Sequence, residues 1–97
     1  MDYENPKLKE DVKSILAAYS RKLGKDEQFY NCLDQIGKHI IKLTKLKENE
    51  DRPGHFREEV VDMYILARCL IEIEGIDDNE ATAASSHFVE VVDRVFA

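Results

Sequence analysis

Hydrophobic positions recur every three or four residues along four segments of the chain, and no segment alternates as a β-strand would. Asn5 followed by Pro6 is typical of a helix start, because asparagine caps the first turn. Proline is tolerated at the first helical position, where a backbone N–H would have no partner within the helix. The apolar stripe continues to Gly24, which we expect to end the helix. The pattern predicts a first helix at about residues 6–23, within an N-terminal segment 1–25.

Three further helices follow from the same periodicity. Asp26 is suited to cap a second helix at about residues 26–47, and the segment "KENEDRPG" breaks it because it lacks apolar residues. A third helix is predicted at about 55–74, ending at Gly75, and a fourth at about 80–96 after the turn "IDDN". The fold class predicted is therefore an all-α four-helix bundle that forms a single domain, residues 1–97.

The third predicted helix is apolar around most of its circumference, from Phe56 to Ile73. Such a helix must be surrounded by other apolar surfaces, and three neighbouring helices would not cover all of it. We therefore expect a second protomer to complete the bundle, as a homodimer or a larger oligomer.

Composition narrows the setting in which this bundle works. The 97 residues are 43% hydrophobic and 35% charged, which is typical of a soluble domain, and no apolar run is long enough to cross a bilayer. The start "MDYENPK" does not resemble a signal peptide, so we expect a cytoplasmic protein without a membrane partner. Cys32 and Cys69 fall within apolar stripes and are predicted to be core thiols.

Charge is distributed unevenly along the chain. The net charge of −6 argues against direct nucleic-acid binding, which needs clustered cations. Residues 1–47 carry ten bases and seven acids, a net of +3, whereas residues 48–97 carry four bases and thirteen acids, a net of −9. Either these are two solvated faces, or the helices pair electrostatically. The acidic half would also suit a basic surface on another protein.

Three carboxylates cluster at the start of the third helix. Glu58, Glu59 and Asp62 fall within about one third of its circumference. The helix dipole alone favours acids in the first turn, which accounts for Glu58 and Glu59 but less well for Asp62. Carboxylates spaced i and i+3, facing a second such pair on a neighbouring helix, are also a common magnesium site in helical bundles.

The string "EEVVD", residues 58–62, matches the EExxD motif, and it is followed by the apolar "MYILARCLIEIEGI" and the acidic turn "DDNEA". Over residues 26–96 the chain resembles the short phage-type members of the MazG-like nucleotide pyrophosphohydrolases. The resemblance implies an all-α fold and Mg²⁺-dependent cleavage of nucleoside triphosphates to monophosphate and pyrophosphate. It also suggests an origin in phage or another mobile element.

The other half of the family motif, EExxE, falls on "DQIGK", residues 34–38. The second glutamate and the last acid of each motif hold the metal in the family, which implies Gln35, Lys38, Glu59 and Asp62 here. Two acids are retained, whereas Gln35 is neutral and Lys38 is a cation that would repel Mg²⁺. We therefore expect no Mg²⁺ in the family's manner and no cofactor, unless Asp34 helps to build an altered site.

Lys38 and Lys42 lie on one face of the second helix. If the second and third helices form an antiparallel hairpin, these lysines confront Glu58, Glu59 and Asp62, and an ammonium replaces the metal ion. The alternative is that both groups are solvated surface charges.

A zinc site is a further candidate. His39 and His55 could meet across the hairpin beside Glu59, although their spacing matches no established zinc motif.

Three functions are compatible with these features. The first is a catalytically degenerate MazG-like protein that acts as a protein-interaction or regulatory module. The second is an active pyrophosphohydrolase with Mg²⁺ held by Asp34, Glu58, Glu59 and Asp62. The third is an acidic inhibitor that docks on a basic protein surface.

Overall fold

The computed structural model describes residues 5–97, so residues 1–4 of the start "MDYENPK" lie outside the described part. That part contains four helices and no strand, which confirms the predicted all-α, four-helix fold. The helices are α1 (Pro6–Ser20), α2 (Lys25–Glu48), α3 (His55–Glu74) and α4 (Asp78–Val95). None of these helices combines the length and the apolarity needed to span a membrane.

The start of α1 agrees with the sequence pattern, but the turn between α1 and α2 does not. The side chain of Asn5 accepts hydrogen bonds from the first-turn amides, and Pro6 opens the helix. Helix α1 ends at Ser20, and Gly24 caps the start of α2 instead of the end of α1. Gly24 has an extended backbone, with φ −72°, whereas a glycine at a helix C-cap adopts positive φ. Asp26 consequently lies inside the first turn of α2.

The amide of Gly24 is satisfied from within α2. It donates to Oε1 of Glu27, three residues later, at 3.1 Å. This contact forms the side-chain half of a capping box, and it leaves Asp26 without the capping role predicted for it.

Helix α3 lies between two glycines in the left-handed region. Gly54 precedes it with φ +86°, and Gly75 ends it with φ +64°. The predicted end at Gly75 is confirmed, because only glycine adopts this conformation without strain. Helix α4 starts at Asp78, slightly before the predicted position, because the side chain of Asp77 accepts the amide proton of Glu80.

The core lies where α1 packs against the antiparallel hairpin of α2 and α3. Cys32 and Cys69 are fully buried there as free thiols, which confirms their predicted place in the core. The other fully or partly buried members of this cluster are Val12, Ile15, Leu16, Tyr19, Ile36, Ile65, Leu66, Leu70 and Ile73.

Several apolar side chains of the α2–α3 hairpin are exposed to solvent. Residues two positions apart on a helix point about 160° apart, so Leu33 faces away from Gln35, which lines the α1 side. Leu33, Ile40, Val60 and Tyr64 are all more than 40% exposed. We call these four residues the open hairpin face.

Helix α4 projects away from the other three helices. Within residues 5–97 it packs against none of α1, α2 and α3, and it contains no buried residue. Phe88, Val92 and Val95 recur at helical spacing on one side of α4 and are exposed to solvent. We call these three residues the α4 apolar face.

Candidate functional site

A polar cluster lies between α2 and α3, with Glu59 at its centre. Glu59 is only 6% exposed. Its Oε1 lies 2.8 Å from Nζ of Lys42 and 3.1 Å from Nε2 of His55, and its Oε2 lies 2.9 Å from Nε2 of His39. The hydrogen bond from Lys42, and after it the one with His55, holds the pKa of Glu59 below its ordinary value. Glu59 is therefore a buried carboxylate anion.

The antiparallel arrangement of two helices brings this cluster together. His39 and Lys42 are three residues apart on α2, and Glu59 and Asp62 are three residues apart on α3. Residues at this spacing lie on one side of a helix, so the two pairs oppose each other across the hairpin. His39 is 2.9 Å from Glu59 and 3.5 Å from the Oδ2 of Asp62.

The orientation of the His39 ring is fixed from its own helix. Its Nδ1 lies 2.6 Å from the backbone carbonyl oxygen of Gln35, one turn earlier on α2. A carbonyl oxygen only accepts hydrogen bonds, so Nδ1 carries a proton. In a neutral ring Nε2 therefore presents a lone pair to the two carboxylates, and the buried Oε2 of Glu59 has no hydrogen-bond donor. Either an imidazolium or a cation is needed to satisfy these atoms.

The connection before α3 supplies a second set of charged contacts. Nδ1 of His55 lies 2.6 Å from Oδ1 of Asp51, and this hydrogen bond is the main reason that the pKa of His55 is raised and that of Asp51 lowered. Arg52 donates to both carboxylate oxygens of Glu58, at 2.7 and 3.1 Å, which lowers the pKa of Glu58. Glu58 thus pairs with Arg52 in the connection before α3, whereas Glu59 belongs to the polar cluster.

The lysines predicted to face the acids have different positions. Lys42 contacts Glu59, but Lys38 pairs with Asp34, one turn earlier on α2, at 3.1 Å. Both members of that pair are exposed. Lys38 lies about 100° around the helix from His39, which places it outside the contact with α3. Asp34 therefore stands apart from Glu59, and it does not complete a four-carboxylate site.

The family resemblance implies a metal-ligand position for Gln35, whereas in the structure the backbone carbonyl of Gln35 orients the His39 ring. The grouping of His39 with Glu59 and Asp62 differs from the zinc candidate, which pairs His39 with His55. The ligand-type atoms of His39, Glu59 and Asp62 all lie within 4.8 Å of one another. The sequence signal for this grouping is the spacing of three residues that His39 and Lys42 share on α2 and that Glu59 and Asp62 share on α3.

An open cleft of about 370 Å³ borders the cluster, between α1 and the hairpin. His39 and Asp62 form its polar wall. Its lining residues are Ile15, Tyr19, Asn31, Gln35, His39, Asp62, Ile65 and Leu66. This volume is within the range of small-molecule sites. The sequence alone does not predict the cleft, because periodicity does not specify how α1 crosses the hairpin.

The cluster combines an imidazole, two carboxylates and a neighbouring ammonium at the edge of a cleft. Such groups are able to bind a cation or an anion, or to stabilise the helix pair through buried charges. Comparisons of the chain with protein-family models, with curated proteins and with solved structures find no match.

Proposed function

We propose that this chain is a catalytically degenerate MazG-like protein that acts as a protein-interaction module, and that its first partner is a second copy of itself. The observation that carries the proposal is the exposure of two apolar surfaces on one chain. These surfaces are the α4 apolar face and the open hairpin face.

Loss of pyrophosphohydrolase activity is supported by the charges around Glu59. Mg²⁺ prefers a shell of oxygen ligands, and in triphosphate chemistry it is held by carboxylates together with the phosphates. Here Oε1 of Glu59 pairs with Lys42, Glu58 pairs with Arg52, and Asp34 pairs with Lys38. Three of the four acids of the alternative enzyme hypothesis, Asp34, Glu58 and Glu59, therefore each pair with a different cationic side chain.

Self-association is supported by the helices on which the two apolar surfaces lie. The open hairpin face has members on both α2 and α3, and the groove between two packed helices is the position that the next helix of a bundle covers. Helix α4 carries an apolar stripe of the kind that packs into such a groove. Exchange of α4 between two copies covers both surfaces with a single kind of contact, repeated by two-fold symmetry.

Charge on α2 favours the same pairing. Residues 78–95 of α4 carry four acids and one base, a net of −3, whereas residues 25–48 of α2 carry five bases and four acids, a net of +1. Lys45 and Lys47 lie in the last turn of α2, on one of the two helices that form the open hairpin face. An acidic helix that docks there approaches basic side chains, which aids encounter and orientation.

The test of self-association is the mass in solution. We expect sedimentation equilibrium to give a dimer at micromolar concentration for the unmodified chain. Phe88→Asp places a charge on the α4 apolar face and should weaken the dimer roughly 100-fold or more, because the carboxylate loses its hydration. Ser86→Asp adds the same charge about 200° around the helix and should leave the mass unchanged.

Mixing two defective chains tests the exchange of α4. Leu33→Asp damages the open hairpin face and should give a monomer, as should Phe88→Asp. A mixture of the two contains one undamaged α4 and one undamaged hairpin on different chains, so we expect a one-to-one complex. A monomeric unmodified chain would contradict self-association, and a mixture that stays monomeric would contradict the exchange.

Catalysis is tested separately. We expect no pyrophosphate release from nucleoside triphosphates with Mg²⁺ or Mn²⁺. Turnover that disappears in Glu59→Gln but persists in Asp51→Asn would establish the enzyme hypothesis instead, whatever the oligomeric state.

A further inference from the structure

We propose that His39, Glu59 and Asp62 form a binding site for one zinc-type transition-metal ion, with a remaining coordination position open to the cleft beside α1. The site is distinct from the four-carboxylate arrangement that the sequence resemblance implies, because its central ligand is an imidazole. It also does not depend on self-association, since all three ligands belong to one chain.

One buried carboxylate oxygen of the cluster has no hydrogen-bond donor. Oε2 of Glu59 is buried and receives no hydrogen bond, although Nε2 of His39 lies 2.9 Å away. The carbonyl of Gln35 takes the proton on Nδ1 of His39, so two lone pairs face each other when the ring is neutral. A metal ion between them turns this repulsion into coordination.

The imidazole ring of His39 is oriented like that of a metal-binding histidine. Metal-binding histidines usually donate the other ring N–H to a carbonyl or a carboxylate, which fixes the ring and its tautomer. The contact of 2.6 Å between His39 and the carbonyl of Gln35 is of this kind. It aims Nε2 at Glu59 and Asp62, at 2.9 and 3.5 Å.

The distances and the donor types select the ion. Two donors about 2.1 Å from a tetrahedral ion lie roughly 3.4 Å apart, close to the separations between His39 and the two carboxylates. One imidazole with two carboxylates suits Zn²⁺ or Co²⁺, whereas Mg²⁺ demands six oxygen ligands. We therefore expect the site to prefer zinc over magnesium.

Lys42 limits the coordination by Glu59 to one oxygen. Its ammonium binds Oε1 at 2.8 Å and leaves Oε2 for the ion. The positive charge of Lys42 also opposes the metal, so Lys42→Met should bind zinc more tightly than the unmodified chain. This direction distinguishes a metal site from a purely structural charge cluster, in which removal of Lys42 brings no metal affinity.

The cleft determines what else binds the ion. His39 and Asp62 line it, so the metal position lies on its wall, beside a volume of about 370 Å³. Three protein ligands leave a tetrahedral ion with one position for water or for an anionic oxygen or nitrogen donor. A small molecule with an anionic group and an apolar body matches this cleft, which is also lined by the apolar residues Ile15 on α1 and Ile65 on α3.

The experiment titrates Zn²⁺, Co²⁺ and Mg²⁺ into the chelator-treated 97-residue chain and follows binding by calorimetry and by the visible spectrum of Co²⁺. We expect one Zn²⁺ per chain, an intense Co²⁺ spectrum of low coordination number, and no competition from Mg²⁺. Asp62→Asn and His39→Gln should each weaken Zn²⁺ by more than the roughly tenfold penalty typical of losing an outer-sphere partner. Asp34→Asn, an exposed acid outside the site, should bind as the unmodified chain does.

A second readout keeps the proposal testable if a variant fails to fold. In the unmodified chain, the ¹⁵N resonance of His39 Nε2 should shift on addition of zinc by more than that of His55, which contacts the ligand Glu59, and that of His87 should not shift. Azide added to the Co²⁺ form should change the visible spectrum, because it reaches the open position. Absence of zinc binding, retention of full affinity in His39→Gln, or a shift confined to His55 would overturn the site. An azide-insensitive spectrum would overturn the open position.

Discussion

The ammonium of Lys42 lies 2.8 Å from Oε1 of Glu59, and it reaches from a half-exposed position on α2 to a buried carboxylate of α3. The carboxylate is anionic because the hydrogen bond from this ammonium, and after it the one with His55, lowers its pKa. The stability of the hairpin therefore depends on a contact between one exposed and one buried partner.

Lys42→Met should destabilise the fold by about 1–2 kcal/mol, because Glu59 stays buried and loses its strongest hydrogen bond. The estimate is below that for a fully buried pair, since half of the Lys42 side chain is in solvent. Lys38→Met is the matched control, and it should change stability by less than about 0.5 kcal/mol, because it removes only an exposed pair. Urea unfolding with chelator present measures both, and equal losses would contradict the assignment.

The stability of the chain should decline as the pH rises above 6.5. The contact with Asp51 raises the pKa of His55 above 6.5, its ordinary value, so the stabilisation from its imidazolium is complete below that pH. It is lost as pH rises through the raised value. Glu59 acts in the opposite direction, because its lowered pKa makes its contribution present above about 4.5 and lost in more acidic solution.

The groups that face His55 are Asp51, Arg52 and Glu59, and Arg52 opposes the shift. We expect thermal melts in chelator to show their highest midpoint between these two limits and a decline on the alkaline side. His55→Gln should remove the alkaline decline. His87→Gln, on the exposed side of α4, should retain it. An alkaline decline that persists in His55→Gln would contradict this origin.

The two cysteines should be unreactive while the protein is folded. Cys32 and Cys69 are both fully buried, and burial raises the pKa of both thiols, that of Cys69 to about 11. Because the thiolate is the nucleophile, alkylation at neutral pH should modify neither residue. Both should react in denaturant. Mass spectrometry after a brief exposure to iodoacetamide counts the modified thiols, and labelling of the native chain would contradict the packing of this core.

Two glycine substitutions should have opposite effects. Gly54 has φ +86° before α3, so Gly54→Ala should cost about 1 kcal/mol of strain. Gly37 lies within α2, where an added Cβ meets nothing within 4 Å. Gly37→Ala should therefore stabilise the helix by roughly 0.5–1 kcal/mol, because alanine loses less conformational freedom than glycine when the chain folds. Chemical unfolding measures the sign of the change in the free energy of unfolding for each variant. Destabilisation by Gly37→Ala would show that this position is covered in solution.

The helices are predictable from the sequence because strong local signals agree with periodicity. Asn5 and Pro6 start α1, and Gly75 ends α3, each by a mechanism that acts within one turn. The turn around Gly24 is not predictable in this way. Gly24 suits either a C-cap or an N-cap, and the choice depends on the reach of Glu27 to the Gly24 amide.

The candidate site is predictable only in part. The antiparallel hairpin brings Lys42 to Glu59, which agrees with the expected pairing of lysine and carboxylate across the helices. Glu58 and Lys38 depart from it because each has a nearer partner, Arg52 and Asp34 respectively. Periodicity defines the side of a helix, but it does not determine which of two available partners a flexible charged side chain selects.

The role of His39 is decided by a contact that sequence spacing does not reveal. Its Nδ1 contacts the carbonyl of Gln35 on the same helix, and this contact turns the other nitrogen towards Glu59 and Asp62. His55, the partner expected for a zinc site, directs its Nδ1 to Asp51. Ring orientation thus separates the two histidines, although both contact the same glutamate.

The six-residue connection between α2 and α3, residues 49–54, has a consequence for the rate at which the chain folds. Most contacts of a helical chain lie within its helices, at short separation along the chain, and such proteins fold within about microseconds to milliseconds. Helix α4 finds no surface within that folded unit, so the burial on a second chain proposed above would require a collision. Stopped-flow refolding should show a fast phase independent of protein concentration, followed by a phase that accelerates as the concentration rises. A single phase at every concentration would mean that α4 docks within its own chain.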